Sequence, residues 1–131
     1  MNTPASPAQK VIFALDVPTL DEARRLVSLL RGRTGFFKVG LELYTAYGKD
    51  AVKAVQDAGG RVFLDLKFHD IPNTVSRAAE EAVKLGVEMF NLHASGGAEM
   101  MRETAERVRR AAEGLNRRAP IILAVTVLTS L

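Results

Sequence analysis

Five short apolar runs punctuate the chain: Val11-Ile12-Phe13-Ala14-Leu15, Phe36-Phe37-Lys38-Val39, Val62-Phe63-Leu64, Met89-Phe90-Asn91-Leu92 and Ile121-Ile122-Leu123-Ala124-Val125. They recur at roughly 25–30 residues, the size of one βα unit. Each run is almost continuously apolar rather than alternating, so both faces of each strand should be buried, as in a parallel sheet covered by helices. The segments between them have helical periodicity. From Leu20 to Leu30, residues Ala23, Leu26, Val27 and Leu30 recur at i, i+3, i+4 and i+7, one stripe of an amphipathic helix. Thr19 and Glu22 have the spacing of a capping box at its start. A second helix is expected through Ala51, Val52, Ala54 and Val55, stopped by Gly59-Gly60. A third carries Val75, Ala78, Ala79, Ala82 and Val83 up to Gly86, with Asn73 or Thr74 as its cap. A fourth carries Met101, Ala105, Val108 and Ala112 and stops near Gly114.

Right-handed βα crossovers leave two architectures, a (β/α) barrel and an open doubly wound sheet. No Gly-x-Gly-x-x-Gly follows the first run, which continues Asp16-Val17-Pro18. Polar residues instead collect at the end of every run: Asp16, Lys38, Asp65 and Lys67, Asn91 and His93, Thr126 and Thr129. In a barrel the C-terminal strand ends share one rim, so residues from different strands converge there. The expected fold class is therefore α/β, of the (β/α)8 TIM-barrel family. A whole barrel takes about 250 residues, against 131 here. The expectation is an incomplete barrel of about five parallel strands and four helices. A flexible tail covers residues 1–9, and residues 10–131 form the N-terminal part of the barrel domain, either as a fragment or with its sheet edges covered by another chain.

The composition narrows the function classes. Lys and Arg number 18 against 15 Asp and Glu, a balance that does not point to nucleic acid. No apolar run approaches the roughly 18 residues of a membrane helix, and Met1 to Pro7 lacks the charge and apolar stretch of a secretory leader. Cysteine is absent, which removes disulfides and thiolate nucleophiles and fits the cytoplasm. With His69 and His93 as the two histidines, no metal site is expected; a hydrogen-bonding role at the rim suits His93 better. Gly96-Gly97 reads equally as a phosphate cradle and as a tight turn. The arginines 107, 109, 110, 117 and 118 interleave with Glu103, Glu106 and Glu113, as on a solvated helix face.

The densest chemical signal is Asp65-Leu66-Lys67-Phe68-His69-Asp70-Ile71-Pro72-Asn73-Thr74. Alternation puts Asp65 and Lys67 on one side of a strand, and Asp70 follows where the chain turns. Two carboxylates around one ammonium keep it protonated. Such a lysine is a poor amine nucleophile but can deliver a proton to a carbanion. An ion-pair network that merely fixes strand ends is the competing reading. The convergence of Lys38, Asp16 and Asp70 on one rim favours chemistry.

That decapeptide resembles the signature of the orotidine 5′-phosphate decarboxylase family. Ala14-Leu15-Asp16, Lys38-Val39-Gly40, His93-Ala94-Ser95-Gly96-Gly97 and Val125-Thr126-Val127-Leu128-Thr129-Ser130 match the family's other landmarks in order. The resemblance is to the bacterial form and implies a cofactor-free barrel homodimer that converts orotidine 5′-monophosphate to UMP in de novo pyrimidine biosynthesis. It implies that Lys67 protonates C6 of the pyrimidine and that Asp65 lies beside the substrate carboxylate. Lys38 and Asp16 would bind ribose hydroxyls. Asp70, Ile71 and Thr74 would reach the neighbouring subunit's site, and Thr129 would contact the pyrimidine. The stretch Leu66, Phe68, His69, Pro72 and Asn73 belongs to the same substrate-binding segment. The family's phosphate grip and mobile loop fall in a later part of its barrel, so the 131 residues alone are expected to be nearly inactive. Two other readings remain: a related, metal-dependent sugar-phosphate decarboxylase or aldolase, and a non-catalytic half-barrel.

Overall fold

A computed structural model describes residues 5–131. Of the expected tail, residues 1–4 lie outside the described residues, and Pro7–Lys10 form a 3-10 turn whose start is tied by Ser6 N–H donating to Gln9 Oε1 at 2.8 Å. The strands are β1 (Ile12–Ala14), β2 (Phe36–Val39), β3 (Val62–Phe68), β4 (Met89–His93) and β5 (Ile121–Val125). They form one parallel five-stranded sheet in the order β1-β2-β3-β4-β5. Spatial order follows chain order without reversal, the winding of a (β/α) barrel rather than of a doubly wound sheet. The chain divides into two compact units, one ending at Phe63 and the other spanning Leu64–Leu131.

In the first unit, β1 and β2 pair with Ala14 opposite Lys38. Helix α1 (Leu20–Leu30) has the expected bounds. Thr19 Oγ1 accepts from Glu22 N–H at 3.3 Å, while the Glu22 carboxylate accepts from the Thr19 hydroxyl rather than from its backbone, so the capping box is half formed. The stripe buries Ala23 and Val27 completely. An unanticipated helix, α2 (Leu41–Tyr47), precedes α3 (Lys49–Asp57). It spans seven residues and buries only Leu43, too short and too shallow for a periodic apolar signal. Gly59 takes φ +92° after α3, and a Cβ on Gly60 would stand 2.8 Å from Val55 and 2.9 Å from Phe37. The first glycine therefore supplies the turn, and the second supplies room for the core of Leu15, Val27, Phe37, Val39, Val52 and Val55.

In the second unit, α4 (Pro72–Leu85) begins with proline at its first position, where the missing N–H costs nothing. Ile71 is the cap, and Asn73 and Thr74 lie inside the first turn, contrary to expectation. Gly86 closes the helix in the left-handed region, φ 79°. Helix α5 (Ala98–Gly114) buries Met100, Thr104, Val108 and Ala112: Val108 and Ala112 are as expected, while the N-terminal half of the stripe falls one residue earlier, where a buried threonine hid its phase. Gly96 belongs to a 3-10 turn, where its Cβ would collide with Met100 Sδ, whereas Gly97 has open space around it and supplies the left-handed turn, φ +101°. Val75, Leu92 and Met100 form the core, with Phe68, Met101 and Ile122 packed against it. Each such fully buried side chain contributes about 1.5–3 kcal/mol.

Burial on both faces holds for β2 and for β4 short of His93, but not for the outermost strands. Ile12 on β1 and Ile121 and Leu123 on β5 are exposed, because an edge strand lacks a neighbour on one side. Among the described residues, no helix is long and apolar enough to cross a membrane.

Candidate active site

Of the polar residues expected at strand ends, Asp16 and Thr126 follow β1 and β5, and Lys38, Lys67 and His93 lie among the last residues of β2, β3 and β4, whereas Asp65 and Asn91 lie mid-strand. In the first unit, Lys38 leaves β2 and Asp16 follows β1. Leu15 N–H donates to the Lys38 carbonyl at 2.9 Å, which carries the adjacent Asp16 toward the lysine. Lys38 Nζ and Asp16 Oδ1 stand 3.6 Å apart, an ion pair beyond hydrogen-bonding distance.

In the second unit Asp65 and Lys67 sit in the C-terminal half of β3. Lys67 Nζ donates to Asp65 Oδ1 at 2.7 Å, a short charge-assisted bond. Lys67 departs from strand geometry, with φ +51°, a left-handed conformation that costs a non-glycine residue about 1–2 kcal/mol. Asn91 on β4, buried and polar, bridges the pair: its Nδ2 donates to Asp65 Oδ1 at 2.7 Å, and its Oδ1 accepts from Lys67 N–H at 2.8 Å. The sequence reading placed Asn91 only among the polar residues at strand ends, whereas it is the central residue of β4. A lone polar residue between Phe90 and Leu92, on a strand otherwise buried, was the available signal.

Asp70 does not flank Lys67 within this chain. Its Oδ1 accepts from the N–H of Ile71 at 2.7 Å, and Asp70, Ile71 and Thr74 are all exposed. Leu66, Lys67, Phe68, His69, Asp70 and Thr74 line an open hollow of about 320 Å3. The rings of His69 and His93 stack with centroids 5.2 Å apart. Asn73 Oδ1 accepts from Arg77 Nε at 3.1 Å and so serves the helix face. Pro72 starts α4, and Thr129 lies exposed in the turn after β5. Among the described residues, no group of three or more His, Asp or Glu side chains is arranged to hold a metal ion.

The arginines on α5 and after it are largely structural. Arg107 Nε donates to Ser76 Oγ, and its Nη1 pairs with Glu80 at 3.0 Å, holding the Glu80 carboxyl below its usual pKa. Arg117 Nη1 donates to the Val83 and Lys84 carbonyls at the end of α4.

The geometry pairs an acid with a strand-end amine in each unit, with a strained lysine locked in the second. Known proteins resemble this sequence. The model of the Orotidine 5′-phosphate decarboxylase / HUMPS family matches residues 9–131. An orotidine 5′-phosphate decarboxylase of Moorella thermoacetica is 58% identical over 93% of this chain and 48% of its own length. One from Syntrophus aciditrophicus is 56% identical over 94% of this chain and 49% of its own. The crystal structure of the Lactobacillus acidophilus enzyme of that name superposes with a TM-score of 0.80 at 38% identity, over 92% of this chain and 54% of that one. The chain thus spans about half the length of these relatives, and over that span it belongs to the Orotidine 5′-phosphate decarboxylase / HUMPS family.

Proposed function

We propose that this chain is the N-terminal portion of a cofactor-free enzyme that decarboxylates orotidine 5′-monophosphate to UMP, in the cytoplasm, as a step of pyrimidine biosynthesis. The observation that carries the reading is the buried Asp65–Lys67 pair, with its ammonium partly open to the hollow beside β3. The bond from C6 to the substrate carboxylate breaks, carbon dioxide leaves, and the electron pair stays on C6. Lys67 Nζ then gives C6 a proton and recovers one from solvent. Asp65 accepts a hydrogen bond from the lysine ammonium and sets its carboxylate against that of the substrate, a repulsion relieved as carbon dioxide departs. No electron sink is required.

Asp16 and Lys38 hold ribose hydroxyls; their 3.6 Å separation leaves room for a hydroxyl to bond to both. Thr129 meets the pyrimidine. Asp70, Ile71 and Thr74 serve the site of a second subunit in a homodimer. Supporting this, the Asp70 carboxylate accepts from Ile71 N–H on an exposed turn, and Ile71, a large apolar side chain, is 65% exposed beside it. Neither nucleic acid nor a membrane is a partner. Because remote phosphate binding is what drives closure in such a site, the 131 residues alone turn over far more slowly than the full protein.

The test is release of carbon dioxide and formation of UMP by the full protein, followed by the same assay after chelation with EDTA. Turnover that survives EDTA supports the reading. Absence of turnover, or its loss on chelation in favour of a sugar-phosphate substrate, overturns it.

A further inference from the structure

We infer that Asn91 is a positioning residue for the proton-donating lysine; this rests on the decarboxylase reading above. One carboxamide, 4% exposed, holds both the acid and the backbone of the amine that the acid pairs with. The contacts converge: Asp65 Oδ1 accepts from Asn91 Nδ2 and from Lys67 Nζ, each at 2.7 Å. The amide orientation follows from chemistry. Reversed, it would set oxygen against the Asp65 carboxylate and NH2 against the Lys67 N–H, two repulsive contacts in place of two bonds.

The backbone explains why such a clamp is needed. Lys67 and Asn116 are the two non-glycine residues with positive φ among those described, and Asn116 follows a helix end where that conformation is common. Lys67 lies inside a strand, where an extended backbone would be expected. A left-handed residue in a strand turns its N–H away from the regular ladder direction, and here the Asn91 oxygen receives that N–H. The strained backbone aims the ammonium, and Asn91 holds the strain in place. An apolar residue on β4 would fill the same space and hold neither group.

The test uses the full protein with two substitutions. Asn91→Leu removes both bonds at similar volume. It is expected to lower kcat by about 10²-fold with KM within threefold, the cost of misaiming a catalytic group by about an ångström. Asn91→Asp restores the clamp only when protonated: its hydroxyl then donates to Asp65 while its carbonyl oxygen accepts from Lys67 N–H. Ionised, it repels Asp65. Its kcat is therefore expected to rise toward that of the unsubstituted enzyme as pH falls, through an ionisation absent from the unsubstituted profile, whereas Asn91→Leu recovers at no pH. A residue that only filled the core would lower the folded fraction without reshaping the pH profile. Wild-type kcat in folded Asn91→Leu overturns the inference, as does an unaltered profile for Asn91→Asp; if the leucine variant does not fold, the aspartate profile decides. Should the unsubstituted protein fail to decarboxylate orotidine 5′-monophosphate, that reading of function falls. The clamp is then judged by hydrogen exchange at the Lys67 amide, which Asn91→Leu should speed at least tenfold; unchanged exchange overturns it.

Discussion

Asp16 and Lys38 approach to 3.6 Å with the carboxylate side chain 64% exposed, whereas Asp65 and Lys67 close to 2.7 Å with the carboxylate side chain 11% exposed. The residue types are the same, and the surroundings differ. A pair at that distance with its carboxylate largely exposed contributes at most about 1 kcal/mol and is screened by salt. A buried carboxylate is unfavourable unless it is paired and hydrogen-bonded, and Asp65 Oδ1 accepts from both Lys67 and Asn91. The first pair is longer and more open, which on the proposed function suits binding of hydroxyls. The second is fixed before substrate arrives, which suits delivery of a proton to one atom.

The largest expected effect tests this division directly. Lys67→Ala in the full protein should lower kcat by about 10³-fold or more, the contribution of a placed general acid, with KM little changed. Retention of even a tenth of the rate would end the distinction between the pairs. Asp16→Asn should act on the other side of it, raising KM by about tenfold while kcat stays within a few fold, the loss of one charge-assisted hydrogen bond in ground and transition state alike. A fall in kcat alone would mean that the first pair is also part of the chemistry.

Stability sharpens the comparison further. Gly60→Ala in the first unit places a methyl group within 3.1 Å of Val55, Phe37 and Val27, and should lower unfolding stability by about 1–3 kcal/mol. Gly86→Ala in the second forces a left-handed alanine and should cost about 1 kcal/mol. Urea denaturation measures both. The smallest effect concerns Glu80, whose pKa is lowered from 4.5 chiefly by the hydrogen bond from Arg107. A lowered carboxyl pKa contributes stability above its unfolded value that disappears as pH falls through the folded one. Stability should therefore dip slightly more between those values in the unsubstituted protein than in Glu80→Gln, and salt should shrink the difference.

The sequence reading succeeded where the signal was local. Helix α1 kept its bounds because an N-terminal Thr-x-x-Glu and a four-residue stripe coincide; β5 kept its bounds because an uninterrupted apolar run ends at Thr126, and β2 because its short run is closed by glycine on both sides. It failed where local signals were faint or misleading. Helix α2 buries one residue, the α5 stripe contains a threonine, and the proline at 72 fixed a start that Asn73 and Thr74 imitated. For the candidate site, the spacing of Asp65 and Lys67 pointed to a pair, but a strand's alternation could not announce a left-handed lysine between them and the turn.

Short-range chemistry in the chain was enough for the βα rhythm, the helix ends and the identity of the charged groups, because capping, periodicity and backbone preference act across a few residues. The clamp on Lys67 depended on folding. Asn91 lies 26 residues from Asp65, and only the packing of β4 in the sheet brings a carboxamide within hydrogen-bonding distance of a strained backbone that no local preference would have chosen.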